Sequence, residues 1–168
     1  KLAVCHNRRI HSNKVFKGKA ARGKTSTGWF YGLKLFLVIN AFGEIMNAFL
    51  TMANVADNHL VTMIKLFSKL KGRAFADKGF INQKAVEELL SKGLHLITGI
   101  RRNMKNKLVL MEQKILLQKR GVIESVNDIL KTVCDIEHTR HRSPINALVN
   151  LYAGLCSYTF LDRLPSIF

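Results

Sequence analysis

One acid in this chain, Asp77, stands where an acid serves chemistry better than folding, and a second, Glu124, lies on a patterned stretch that allows it a chemical role. Asp77 falls where a short run, Gly72-Arg73-Ala74-Phe75-Ala76, stops just before Lys78 and Gly79. A strand end is a poor place to bury a charge. It is a good place to hold a metal, because in open α/β sheets sites gather at the carboxyl ends of strands. Glu124 lies in the stretch 120–131, which has two faces when wound at 3.6 residues per turn. Ile115, Val122, Val126, Ile129 and Val133 fall on one face, and Arg120, Glu124, Asn127, Asp128 and Lys131 on the other. Such a stripe is either an amphipathic surface helix with a solvated charged side, or a helix that turns Glu124 into a site between Arg120 and Lys131. The stretch alone leaves both open.

The remaining chain bounds the choice. At 168 residues it suits one domain, 1–168, with a real core. Hydrophobic residues make up 48% and charged residues 23%, which excludes a disordered tail. Lys and Arg number 27 against 11 Asp and Glu, a net charge of +16 that calls for a polyanionic partner. Nucleic acid is the first candidate and a membrane surface the second. Cys5, Cys134 and Cys156 stand far apart without a CxxC pair, which suits a reducing compartment and small apolar core positions. The chain opens at Lys1 without an initiator Met or signal peptide, and 2–5 read like the tail of a strand already under way. A fragment or truncated product is expected. No stretch reads as a membrane span: 33–50 is broken by Lys34, Asn40, Gly43 and Glu44, and 145–161 carries Asn146 and Asn150.

The elements that must position the acids follow from pattern. Residues 7–24, dense in Arg, Lys and His, read as a basic loop suited to phosphates, including Arg8, Arg9, Arg22 and Lys24. Aromatic and branched residues over 29–39 predict a strand, 40–43 a turn, and 44–51 the returning strand of a hairpin. A helix is expected over 55–70 with Asp57 or Asn58 near its cap, then a strand over 72–76. Asn82 caps a helix to about 92 that Gly93 stops, and 95–100 is a further strand. A second basic loop, 101–107, carries Arg101 and Arg102, and a polar connection, 134–142, carries Arg140 and Arg142. Ser143-Pro144 opens a last helix, with Ile145, Leu148, Tyr152, Leu155, Cys156 and Thr159 as its expected buried face. This order is mixed α/β, with helices against a central sheet.

Two motifs fail on physical grounds. Gly18-Lys19-Ala20-Ala21-Arg22-Gly23-Lys24-Thr25 fits the P-loop letters. A phosphate cradle also needs a buried strand before it and a helix opening at its Thr. The residues before it are mostly polar, and aromatic, Gly-broken residues follow. Cys134, His138 and His141 are a weak zinc signal, without a second pair elsewhere.

With the acids and their spacing in place, the chain resembles the DDE transposases of bacterial insertion sequences, whose catalytic domain is ribonuclease-H-like. Ala76-Asp77-Lys78-Gly79-Phe80 is similar to the family's Asp-Lys-Gly-Tyr segment, which carries the second catalytic Asp. Arg120, Glu124 and Lys131 fit the Tyr-Arg-Glu-Lys signature, with three residues between Arg and Glu and six between Glu and Lys. The segment 51–57, with Asn54 and Val55, and Gly32 and Lys34 of the hairpin strand match further. Leu117 takes the signature's Tyr position, Phe80 replaces a Tyr, and Phe36 stands where relatives often show His. The family's first Asp belongs on a strand just before Lys1, and no carboxylate in 1–9 replaces it.

The resemblance implies a ribonuclease-H-like mixed sheet flanked by helices, its first strand incomplete, and DNA cleavage and strand transfer. It implies Mg²⁺ or Mn²⁺ as cofactor, two ions in the complete enzyme, with Asp77 and Glu124 as two of three catalytic, metal-binding carboxylates. Arg120 and Lys131 would neutralise phosphates or orient Glu124. Lys34 and the arginines and lysine of the basic loops would meet DNA. Transposon ends and target DNA are the implied partners, with a homodimer in a paired-end complex and no membrane. The bacterial cytoplasm, at the nucleoid, is the implied location. Without its first Asp the chain is expected to bind DNA and not cut it. The alternative is a basic nucleic-acid-binding module that is no enzyme, which expects Asp77 and Glu124 to lie far apart.

Overall fold

The long central strand carries apolar side chains on both faces, and this decides where everything else sits. The computed structural model describes residues 1–26, 28–100, 110–137 and 141–168. In chain order the elements are β1 (Leu2–Cys5), a 3-10 turn (Asn7–Arg9), β2 (Ala21–Thr25), β3 (Gly28–Ile39) and β4 (Ile45–Met52). There follow α1 (Leu60–Leu66), β5 (Gly72–Ala76), a 3-10 turn (Lys78–Phe80), α2 (Gln83–Ser91) and β6 (Leu94–Thr98). The helices α3 (Met111–Lys119), α4 (Val122–Thr132) and α5 (Pro144–Thr159) complete the chain.

Strand β3 pairs antiparallel with β1, β2 and β4. Gly32 faces both Ala3 of β1 and Ala21 of β2, and Leu33 faces both Leu2 of β1 and Met52 of β4. Strand β1 therefore holds one edge of β3, while β2 and β4 share the other, one after the next. Successive strand side chains alternate faces. Leu33, Leu35, Leu37 and Ile39 pack with Val126 and Leu130 of α4 and Leu151 and Tyr158 of α5. Phe36 and Val38 pack with Met63 and Leu66 of α1, Ala85 and Leu89 of α2, and Leu94 and Leu96 of β6. Strands β5 and β6 form a separate parallel pair, Gly72↔Leu94 through Ala76↔Thr98. The result is a mixed α/β, ribonuclease-H-like arrangement, as expected.

The hairpin, β5, the Asn82 cap and the Gly93 stop fall where the sequence put them. Asn82 Oδ1 accepts from Ala85 N–H at 3.2 Å, and Gly93 takes φ +87. The helix expected from 55 begins only at Leu60, and its cap is His59, with no side-chain capping bond. Asp57 and Asn58 are committed elsewhere: Asp57 to Lys34, and Asn58 Nδ2 to the Ile81 carbonyl at 3.4 Å. The basic segment 7–24 is no open loop throughout. Phe16 and Ala20 are buried against Tyr31 and Val4, and its end is β2. No helix opens at Thr25, so the P-loop reading fails as argued.

Of the face expected for α5 only Leu155 packs inward, partly buried; the helix docks mainly by another. Leu151, Gly154 and Tyr158 are buried, while Ile145 is 71% and Tyr152 63% exposed, and Leu148 and Cys156 are exposed too. A Cβ on Gly154 would collide with Ile136 Cγ2, so glycine lets the helix close on the segment after α4. Tyr158 is fully buried, and its hydroxyl donates to the Gly43 carbonyl at 2.8 Å. Burial, then the Cys134 thiol, pushes its phenol above the usual range. Tyr158→Phe leaves that carbonyl without its partner and is expected to cost about 1–3 kcal/mol. Urea unfolding checks this, and an unchanged midpoint contradicts it.

Candidate active site and DNA-facing surface

Asp77 ends β5 because the chain there turns into a 3-10 turn whose first amide it caps. Its Oδ1 accepts from Lys78 N–H at 2.6 Å and stands 3.3 Å from Arg120 Nη1. The expected single helix through 120–131 is broken: Arg120 ends α3 and Gly121 precedes α4. The break puts Arg120 at a corner from which its guanidinium reaches β5. Glu124 lies in the first turn of α4, its amide bonded to the Gly121 carbonyl at 2.9 Å. A carboxylate there is favoured by the helix dipole. Glu124 is exposed, and its side chain takes no ion pair among the described residues. The ion pair between Arg120 and Asp77 thus joins the end of β5 to the helix start that carries Glu124.

The buried face of α4 is Val126 and Leu130, with Val122 and Ile129 partly buried beside them. Ile115 and Val133, placed on that face from sequence, are exposed. The break at Gly121 takes Ile115 out of register, and Val133 lies past the last turn. Lys131 pairs with Asp128 at 3.6 Å and borders a small cavity with Lys1, Leu2, Asn127 and Glu137 at the start of β1.

Lys34 is engaged within the protein. Its ammonium donates to the Val55 carbonyl at 2.9 Å and to Asp57 Oδ1 at 3.0 Å. The Asp57 carboxylate in turn lies against Gly79, where a Cβ would stand 3.4 Å from Oδ2. Lys34 therefore fixes the connection from β4 to α1 against the segment that follows Asp77. The pair is only partly shielded, so its energy is small, under about 1 kcal/mol; its effect is to set position. Beneath the same segment Phe80 packs edge-on to Phe36 at 6.0 Å and to Phe67 at 6.4 Å. Phe36 and Phe80, the two positions that depart from the family's His and Tyr, touch each other.

Of the remaining cations, Arg8 and Arg9 lie in the Asn7–Arg9 turn and Arg22 and Lys24 on β2, all exposed. Arg142 is exposed just before α5. Arg101, Arg102, Arg140 and the His138 of the weak zinc signal lie outside the described residues. Sequence reasoning missed Asp57 as a partner of the Asp77 segment, reading it as a helix cap. It also passed over Trp29, which is 55% exposed. A cavity of about 400 Å³ between Phe16, Leu33, Leu50, Ile136 and Leu151 is apolar and contains none of the acids.

Asp77 and Glu124 offer the hard oxygen donors a divalent cation takes, and both are exposed, so their chemistry suits such an ion. No three His, Cys, Asp or Glu side chains converge into a metal-holding group among the described residues. No helix among them is long and apolar enough to cross a membrane.

A mixed α/β domain with a net charge of +16 and an acid at a strand end, ion-paired to an arginine just before the helix that bears a second acid, suits a polyanionic partner. The sequence settles which: residues 1–144 match the family described as Transposase DDE domain. That is most of the chain, and the chain belongs to this family. Domains of the family act on DNA and generally use divalent metals. No curated protein and no solved structure matches.

Proposed function

We propose that this domain is the catalytic part of a bacterial insertion-sequence transposase, built to cleave transposon-end DNA and join it to a target. The observation that carries this reading is the Arg120–Asp77 contact at 3.3 Å, which ties the second acid of the family pattern to the signature arginine four residues before the third. Asp77 and Glu124 would hold Mg²⁺ or Mn²⁺, two ions in the complete enzyme, which supply an activated oxygen nucleophile and a stabilised leaving oxygen. Arg120 meanwhile neutralises Asp77 and offers its remaining N–H groups to a phosphate. Lys131, about two turns beyond Glu124, adds positive charge on the same helix. Lys34 and Asp57 keep the Asp77 segment in place. The exposed cations of β2 and the Asn7–Arg9 turn draw DNA toward a region that already holds acids. Joining two ends at once requires two copies, so the working form is a homodimer on DNA, in the bacterial cytoplasm at the nucleoid.

This chain alone carries two of the three carboxylates and is expected to bind DNA without cutting it. A nicking assay on transposon-end DNA with Mg²⁺ or Mn²⁺ tests both parts. Binding with no nicked product is the expected result. Cleavage that Glu124→Gln abolishes would overturn the inactivity and uphold the acid; cleavage that survives Glu124→Gln would overturn the acid's role. The rival reading, a basic binding module that was never an enzyme, expects the Asp77 and Glu124 carboxyl groups to lie more than about 10 Å apart; the tie from Asp77 to Arg120, four residues before Glu124, favours the catalytic reading.

A further inference from the structure

Trp29 is the chain's single tryptophan, and it lies on the surface. Strand alternation explains the position: Phe30 goes inward at 7% exposure while Trp29 goes out at 55%. Alternation does not explain the residue, since a large aromatic ring in water forgoes the burial that favours it. What surrounds the ring is specific. Lys24 is its direct partner across the β2–β3 ladder, and Arg22 is the diagonal one. Arg22 Cζ stands 5.4 Å and Lys24 Nζ 5.7 Å from the ring centroid. Asn7 Nδ2 donates to the Trp29 carbonyl at 2.9 Å, which ties the turn carrying Arg8 and Arg9 to the same end of β3. One exposed aromatic plate thus sits beside four cations contributed by two segments, β2 and the Asn7–Arg9 turn.

We infer that Trp29 is a stacking platform for an unpaired DNA base, with Arg22 and Lys24 holding the phosphates on either side of it. This rests on the reading that the domain binds DNA. Cations alone would serve any polyanion. The plate adds a preference that charge cannot, because only a base has a flat π-face to lay on it. Inside a duplex each base face is covered by its neighbours, so Trp29 takes a base out of the stack: in a single strand, at a frayed end or in a gap. The two cations over the ring fix its orientation and leave the residue 55% exposed.

The single tryptophan makes the test direct, because intrinsic emission of the whole chain reports on Trp29 alone. The unmodified chain is titrated with single-stranded DNA of about 12 nucleotides, within the ~4–16-nucleotide range of such sites, with the same strand made abasic, and with a blunt duplex. Binding is read in parallel by polarisation of labelled DNA. The intact single strand is expected to quench the emission strongly, while the abasic strand binds and leaves it nearly unchanged. Trp29→Ala is expected to weaken single-strand binding about five- to 100-fold and blunt-duplex binding by no more than about twofold, with Trp29→Phe intermediate. Equal quenching by the abasic strand, or single-strand binding with unaltered emission, overturns the stacking role and leaves DNA binding standing. Failure of every DNA to bind overturns both. The emission readout needs no substitution, so it decides the matter even if Trp29→Ala fails to fold.

Discussion

DNA affinity is expected to fall by roughly 150-fold when salt rises from about 50 to about 200 mM. The figure comes from four exposed cations, Arg8, Arg9, Arg22 and Lys24, each neutralising one phosphate. Every released counterion contributes about −0.9 to the slope of log K against log salt, so four give about −3.6. The measurement is that slope, read on one DNA across a salt series. Replacing Arg22 and Lys24 together with Gln should bring it up by about two. A slope near zero would mean that the excess of positive charge serves something other than a phosphate backbone. A slope much steeper than −4 would mean that further cations, Arg142 among them, share the contact.

Gly32→Ala is expected to prevent the chain from folding. Gly32 sits where β1 and β2 both meet β3, and a Cβ there would run into the Leu2 carbonyl oxygen and crowd Ala3. The obstruction is backbone, not the tip of a flexible side chain, so relief requires β1 to leave the sheet. Leu2 and Val4, both buried, would go with it. A cost above about 4 kcal/mol is expected, a large share of the ~5–15 kcal/mol that holds a domain together. Gly121→Ala is the control. Gly121 has φ −54 and ψ −20 and open space where a Cβ would go, so alanine should stabilise by about 0.4–1 kcal/mol. Thermal unfolding followed by circular dichroism compares the two. A Gly32→Ala chain that melts near the parent would refute the packing described for β1.

What could be read from the amino acids depended on how local the signal was. The hairpin, β5 and the boundaries of α2 were legible because their determinants are neighbours in sequence: branched runs, the Asn82 cap, the Gly93 stop. Asp77 stood out for the same reason, at a strand end two residues before a glycine. The orientation of α5 was not legible. That helix carries no charged residue and has apolar side chains on several sides, so no polar stripe marks its outer face. Gly154 against Ile136 and Tyr158 reaching Gly43 settle it, and both partners are distant in sequence. The break at Gly121 was missed because glycine is tolerated inside helices and its backbone there is helical. Asp57 was misread because its partner, Lys34, is 23 residues away across the sheet. Trp29 was read only as strand, since its meaning lies in Lys24 and Arg22, brought beside it by pairing.

A strand that is greasy on both sides has a hidden problem. Sliding β3 by one residue would trade Leu33, Leu35 and Leu37 for Phe36 and Val38 without exposing much to water, so oil-and-water sorting only weakly penalises the slip. Two residues break the tie. Gly32 admits a passing carbonyl that any other side chain would block, and Lys34, the strand's one charge, must emerge on the side where Asp57 and the Val55 carbonyl wait. The lysine that braces the segment after Asp77 is thereby also the notch that tells the sheet how to align, so a misthreaded molecule would lose that brace in the same move.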